Sequence, residues 1–139
     1  MIVVDTNVVS ELMKASPSVV VRDWMLGQRA AELFTTSITV AEVLYGIERL
    51  PEGQRQDMLR SVAVDVFSSF ADHVLPFDRD ASAAYATVVH HRDQRGFPID
   101  GFDAQIAAIC RVHNATLATR NVKAFRHTGI ALVNPWKAI

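Results

Sequence analysis

The chain predicts an α/β fold, a three-layer α/β/α sandwich around a short, mainly parallel central sheet. Three observations carry that expectation. Short apolar runs alternate with helical periodicities along the whole chain, the pattern of strands joined by crossover helices. Every connection between them is short. The 139 residues, half of them hydrophobic and 21% charged, suit one domain over 1–139 with a substantial core and exclude disorder.

Ile2-Val3-Val4 is the first strand, and a short helix follows from about Val8 to Met13. Pro17 suits the first turn of a second helix towards Gly27, because that position needs no N–H. Leu33 to Thr35 is the second strand, followed by a helix from about Val40 to Arg49 that Pro51 and Gly53 break. The next helix carries a stripe of Leu59, Val62, Ala63, Val66, Phe67 and Phe70 at helical spacing. Val74-Leu75 is a short third strand. Asp78 or Asp80 then starts a helix with the stripe Ala81, Ala84, Tyr85, Val88 and Val89, ended by Gly96 and Pro98. Asp100 reads as the N-cap of the apolar helix that runs to Val112. Thr116 to Ala118 and Ile130 to Val133 are the last strands, and Asn134-Pro135 closes the fold.

Composition narrows the function classes. No basic stretch precedes an apolar run ahead of Asp5, so no secretory leader is expected, and no window supplies the roughly 20 apolar residues of a membrane helix. Cys110 is the only cysteine, which forbids an intrachain disulfide and suits a cytoplasmic protein. Its neighbours Ile106-Ala107-Ala108-Ile109 make it a small core hydrophobe. A net charge of −1 excludes a general nucleic-acid coat. From Arg111 onwards, however, there are five basic residues and no acid, so all fifteen acids lie in residues 1–110. That asymmetry fits either a solvated basic surface or a guide for a polyanion.

Three carboxylates stand where strands hand over to helices: Asp5 after the first strand, Glu42 after the second, and Asp103 at the start of its helix. Ligands of parallel sheets bind at the carboxyl ends of the strands. Acids gathered there repel one another, and a hard divalent cation offsets that repulsion. Each acid also has a plain explanation. Thr39-Val40-Ala41-Glu42 has the spacing of a capping box, Asp100-Gly101-Phe102-Asp103 likewise, and Asp5-Thr6-Asn7 makes a turn. Capping alone gives no reason for the three to converge. Thr119-Arg120-Asn121, after the fourth strand, offers a fourth position with a neutral oxygen on Asn121. Thr6, Asn7 and Thr119 are placed to bind a water or a phosphate oxygen. The constellation points to metal-assisted chemistry on a phosphate-bearing substrate.

These residues carry a resemblance. Ile2-Val3-Val4-Asp5-Thr6-Asn7-Val8-Val9-Ser10-Glu11, Ser37-Ile38-Thr39-Val40-Ala41-Glu42-Val43-Leu44-Tyr45-Gly46, Leu75-Pro76-Phe77-Asp78, Asp103-Ala104-Gln105-Ile106-Ala107-Ala108, Ala118-Thr119-Arg120-Asn121 and Asn134-Pro135-Trp136 occur in order over nearly the whole chain. Together the chain resembles the PIN-domain ribonucleases, specifically the VapC toxins of toxin–antitoxin pairs in the FitB-like branch. The resemblance implies a PIN-like fold and an endoribonuclease using Mg²⁺ or Mn²⁺. It assigns metal binding to Asp5 and Asp103, metal or water to Glu42, and the fourth acidic position to Asn121. That Asn, where relatives often have Asp, removes one charge and bears on a second metal site. The resemblance further implies a homodimer and a DNA-binding antitoxin whose basic tail blocks the site. Val43, Leu44, Ile47 and Leu50 offer an apolar helix surface that serves either such a partner or the core. Arg120, Lys123 and Arg126 are candidates to hold an RNA backbone.

Two other function classes compete. A non-catalytic module that binds an antitoxin or nucleic acid is compatible with Asn121 and is separated by metal titration. A phosphatase or receiver domain lacks its second acid after Asp5 and its Lys after a late strand, and no Walker or Gly-rich dinucleotide motif occurs. His90 and His91 are adjacent on a helix and diverge, the other histidines are scattered, and no Cys/His spacing suggests zinc. Trp24 and Trp136 read as packing residues.

Overall fold

Five parallel strands make one sheet in the order β3-β2-β1-β4-β5: β1 (Ile2–Val4), β2 (Leu33–Thr36), β3 (Val74–Leu75), β4 (Thr116–Ala118) and β5 (Ala131–Val133). The molecule is seen in a computed structural model that describes residues 1–137. Among the described residues six helices cover the sheet: α1 (Thr6–Leu12), α2 (Val19–Leu26), α3 (Ser37–Glu48), α4 (Gln54–Phe70), α5 (Arg79–Gln94) and α6 (Gly101–Val112).

The two-residue side-chain period of β1 divides the core. Val3 points to one face, where it packs with Leu117 of β4 and with Ala81, Val88, Ile106 and Ile109 of α5 and α6. Val4 points to the other, against Val8, Val9, Val21, Val43, Ile47, Ala63 and Phe70 of α1 to α4. Both valines are fully buried, as expected of strands covered on both faces. The three layers expected from the sequence are therefore present, with every strand pair parallel. Cys110 lies in the first of these cores, and burial pushes its thiol pKa far above the usual range. Among the described residues no helix is long and apolar enough to cross a membrane.

Several helix starts differ from expectation, each for a capping reason. Asp5 itself caps α1, so that helix begins two residues early at Thr6. Ser18 Oγ accepts from the Val21 N–H at 3.4 Å, which puts Pro17 outside α2 instead of in its first turn. Strand β2 passes into α3 with no loop. Thr36 Oγ1 accepts from the Thr39 N–H at 3.0 Å, so Thr36 is the cap, Thr39 lies inside the helix, and no Thr39–Glu42 capping box forms. Asp78, not Asp80, caps α5, accepting from the Ala81 N–H at 3.0 Å. Asp100 caps α6 as expected, accepting from the N–H groups of Phe102 and Asp103 at 2.8 and 3.4 Å. Two 3-10 turns, Ala30–Glu32 and Val122–Phe125, were not evident in the periodicity.

Candidate active site

The chain builds outward from β1 in one direction to β2 and β3, and in the other to β4 and β5. The carboxyl ends of β1 and β4 therefore flank a topological switch point, where a parallel sheet opens a crevice. Asp5 and Thr119 stand at those two ends. The Asp5 N–H donates to the Ala118 carbonyl at 2.9 Å, which continues the ladder and fixes the carboxylate at the crevice floor.

Asp5 is only 4% exposed. Its Oδ1 accepts from the Thr6 N–H at 2.8 Å, and its Oδ2 from Thr119 Oγ1 at 2.8 Å and Asn7 Nδ2 at 3.4 Å. Thr119 Oγ1 in turn accepts from Asn7 Nδ2 at 3.3 Å and from the Asn121 N–H at 3.0 Å. Asn7 Oδ1 accepts from the Arg120 N–H at 3.2 Å, tying α1 to the turn after β4. Every partner of the Asp5 carboxylate is neutral. Burial raises its pKa, and the Thr119 and Thr6 bonds pull it back in part.

Glu42 reaches the same place from the second turn of α3, where its Oε1 accepts from Thr6 Oγ1 at 2.8 Å. Its pKa is also raised, first by burial and then by Asp5 and Asp100, against the Thr6 bond. Asp103 enters from the first turn of α6. Burial, followed by the charges of Asp5, Asp100 and Glu42, pushes its pKa to about 6, while Arg92 acts weakly in the opposite sense. Among the described residues none of the three carboxylates forms an ion pair. All three line one cleft of about 460 Å³, with Asn121, Thr6 and Asn7.

The three carboxylates thus concentrate negative charge, and of the two cations in the lining Lys14 pairs with Glu11 and Arg120 lies over Trp136. The donors of the cleft are hard oxygens, which suit Mg²⁺ or Mn²⁺ and not a soft metal. Among the described residues, no group of three Asp, Glu, His or Cys side chains is arranged to hold a metal ion by itself. The donor set fits a hard cation that carboxylates hold directly or through its water shell, as they do Mg²⁺.

Of the residues singled out in the sequence, Asp5, Thr6, Asn7, Glu42, Asp103, Arg120 and Asn121 line this cleft, and Thr119 lies buried beneath it. Lys123 does not reach it. Together with Arg126 it lines a separate pocket with Arg92, Phe97 and His127. The cleft also contains Ser10, Glu11, Lys14 and Trp136, which sequence reasoning left out of the site. Asn7, Ser10 and Glu11 recur at helical spacing on α1, so a polar stripe signalled Ser10 and Glu11, while Lys14 lies just past the C-cap Met13. Glu11 is buried but satisfied by Lys14 Nζ and the Ser18 N–H, both at 3.0 Å, and Lys14 first, then Ser18, lower its pKa. Trp136 packs against the α1–α4 core, as expected, and also carries the Arg120 guanidinium 4.9 Å above its ring.

An apolar groove of about 590 Å³ opens beside the cleft and shares Thr6, Ser10, Lys14 and Glu42 with it. Val43 and Ile47 are buried at its base, while Leu44 is 44% exposed outside it. The helix surface expected to serve core or partner is thus divided between inward and outward positions.

Comparison with known proteins bears on this arrangement. The family model for the PIN domain matches residues 2–130. The VapC ribonuclease Y4jK of Sinorhizobium fredii is 38% identical over 138 residues, covering 99% of each chain. Toxin FitB of Neisseria gonorrhoeae is 33% identical over 137 residues, covering 98% of this chain and 99% of its own. A structure of FitAB bound to an IR36 DNA fragment superposes with a TM-score of 0.93 at 32% identity, covering 100% of this chain and 98% of that one. With its all-parallel sheet and acid-lined crevice, the chain belongs to the PIN-domain family, among its VapC- and FitB-like members.

Proposed function

We propose that this chain is a Mg²⁺- or Mn²⁺-dependent endoribonuclease, the toxin of a toxin–antitoxin pair acting in the cytoplasm. The observation that carries the reading is the convergence of Asp5, Glu42 and Asp103 on one cleft, each with a raised pKa and none with a cationic partner. Asp5, Asp103 and Glu42 would hold the cation, with Asn121 contributing a neutral oxygen or orienting a water. A bound divalent ion supplies an acidified water and polarises the phosphoryl oxygen.

The remaining work falls to the chain's own groups. Thr119, Asn7 and the Thr6 N–H fix the Asp5 carboxylate so that it needs no reorganisation when charge develops nearby. Thr6 Oγ1 aims Glu42 at the same point. Arg120 lies over Trp136 and lines the cleft, and it would take a substrate phosphate. The product ends are a 5′-phosphate and a 3′-hydroxyl.

An antitoxin fits the apolar groove, with a basic tail in the adjoining acidic cleft, and two copies of the chain form the working homodimer. The test is RNA cleavage by the purified chain with Mn²⁺. Asp5→Asn and Asp103→Asn should each lower the rate by about a hundredfold or more, the scale of losing one preorganised charge-stabilising group. Equal cleavage by chain and variants refutes the reading.

A second reading, a weakly active or inactive module that only binds antitoxin or nucleic acid, draws on Asn121 and on the lack of a ready three-ligand cage. Calorimetric titration with Mn²⁺ separates the two, because a purely binding module has no need to take up the metal.

A further inference from the structure

The pocket that contains Lys123 has a composition the acidic cleft does not explain. Its lining is Arg92, Phe97, Lys123, Arg126 and His127, around about 290 Å³, with no acid among them. Arg92 is the unusual member. It is only 5% exposed, and among the described residues it forms no ion pair. Its Nε donates to the Phe97 carbonyl at 2.6 Å, and its Nη1 donates to the carbonyls of Ala124 and Arg126 at 2.7 and 2.9 Å. Those bonds leave Nη2 with no hydrogen bond among the described residues, on a guanidinium that lines the pocket. That Nη2 is reached by solvent, so an anion entering the pocket can accept a charge-assisted bond from it directly.

The pocket also offers aromatic surface. Phe97, 55% exposed, stacks on His127 with ring centroids 5.7 Å apart and planes 20° from parallel. His127 is held at a φ of 61°, a conformation uncommon outside glycine. Burial first, then the charges of Arg95, Arg92, His91 and Arg126, lower its pKa, which favours the neutral ring. Location supplies the third fact. Asn121 lines the acidic cleft and Lys123 lines this pocket. Their Cα atoms are within about 7 Å, the reach of two residues.

We propose that Arg92, Lys123 and Arg126, with the Phe97–His127 ring pair, form a second site that takes a backbone phosphate and an adjoining base of single-stranded RNA next to the cleavage cleft. The proposal rests on RNA being the substrate. It turns Lys123 and Arg126 from residues of the cleavage cleft into residues of a neighbouring subsite. Cations binding the phosphate and an aromatic platform binding the base are the two components by which single strands are held without sequence reading.

The test is fluorescence anisotropy of a short labelled single-stranded RNA with the full chain in EDTA, across a salt series. Lys123→Ala and Arg126→Ala change exposed side chains, so folding is preserved, and Arg92 is left intact because it also pins backbone. Each should weaken binding about fivefold and lower the slope of log affinity against log salt by about 0.7, the share of one phosphate contact on a single strand. Phe97→Ala should weaken binding by about tenfold with the slope unchanged, since stacking carries no counter-ion term. Unaltered affinities and slopes in the two charge variants overturn the site, as does binding of acidic peptide in place of RNA. Cleavage is assayed in parallel with Mn²⁺. Cleavage with unaltered slopes defeats the second site alone, and altered slopes without cleavage defeat the nuclease reading alone.

Discussion

Thr119 Oγ1 serves three groups at once, donating to Asp5 and accepting from Asn7 and the Asn121 N–H. Thr119→Val keeps the shape but removes all three bonds and leaves the buried Asp5 Oδ2 with only the 3.4 Å Asn7 contact. It should cost about 2–3 kcal/mol by urea unfolding and raise the Asp5 pKa further, whereas Thr119→Ser should retain most of both. A valine variant as stable as the parent contradicts the network. At this scale the sequence was a good guide to Asp5 and Glu42, which follow β1 and β2 at one edge of the sheet, whereas Asp103 enters from α6, which follows α5 and not a strand. It was a poor guide to Lys123. A 3-10 turn after Asn121 rotates that side chain out of the cleft, and turns of this kind leave no hydrophobic period. Ser10 and Glu11 were readable as a polar helix face, while Trp136 reaches the cleft by tertiary packing alone.

Between elements, the end of α3 depends on α4. Gln56 is 4% exposed, and its Nε2 donates to the carbonyls of Ile47, Glu48 and Leu50 at 3.0, 3.4 and 3.1 Å. One side chain thus ties the last turn of α3 to the loop after it, taking up the Glu48 carbonyl that the helix end leaves open. Gln56→Leu should destabilise the chain by about 1–3 kcal/mol, read as a fall in the urea midpoint with an unchanged slope. The opposite end of α3 rests on Thr36, and Thr36→Ala should cost about 1 kcal/mol. Loss of that cap should also lower activity, because α3 positions Glu42. The apolar stripes of α4 and α5 were legible because amphipathic periodicity is local and strong. The start of α3 was not, since Thr36 and Thr39 are both competent caps and only the direct strand-to-helix passage decides between them.

For the whole molecule, the sheet order was the least legible feature. Local patterns mark strands but not their neighbours, and the placement of β1 at the centre follows from packing on both faces. That placement concentrates the acids, and it makes stability depend on pH. The unfolded chain loses the Asp103 proton near the ordinary 3.8, the folded chain only near about 6, so the unfolded state binds fewer protons in between. Stability of the metal-free protein therefore falls as pH rises through that window, with Asp5 and Glu42 acting in the same direction. In EDTA at about pH 7.5, Asp103→Asn should raise Tm by about 5 °C, and the gain should vanish near pH 4. A variant no more stable than the parent at neutral pH rejects the electrostatic account. The contact between Arg120 and Trp136 has a practical corollary. Only two indoles exist in the chain, and Trp24 lies away from the cleft lining. Replacing Trp24 by phenylalanine leaves a single indole, selectively excited apart from the two tyrosines, under a guanidinium at the mouth of the crevice. Its emission becomes an intrinsic optical gauge of whatever draws that cation away.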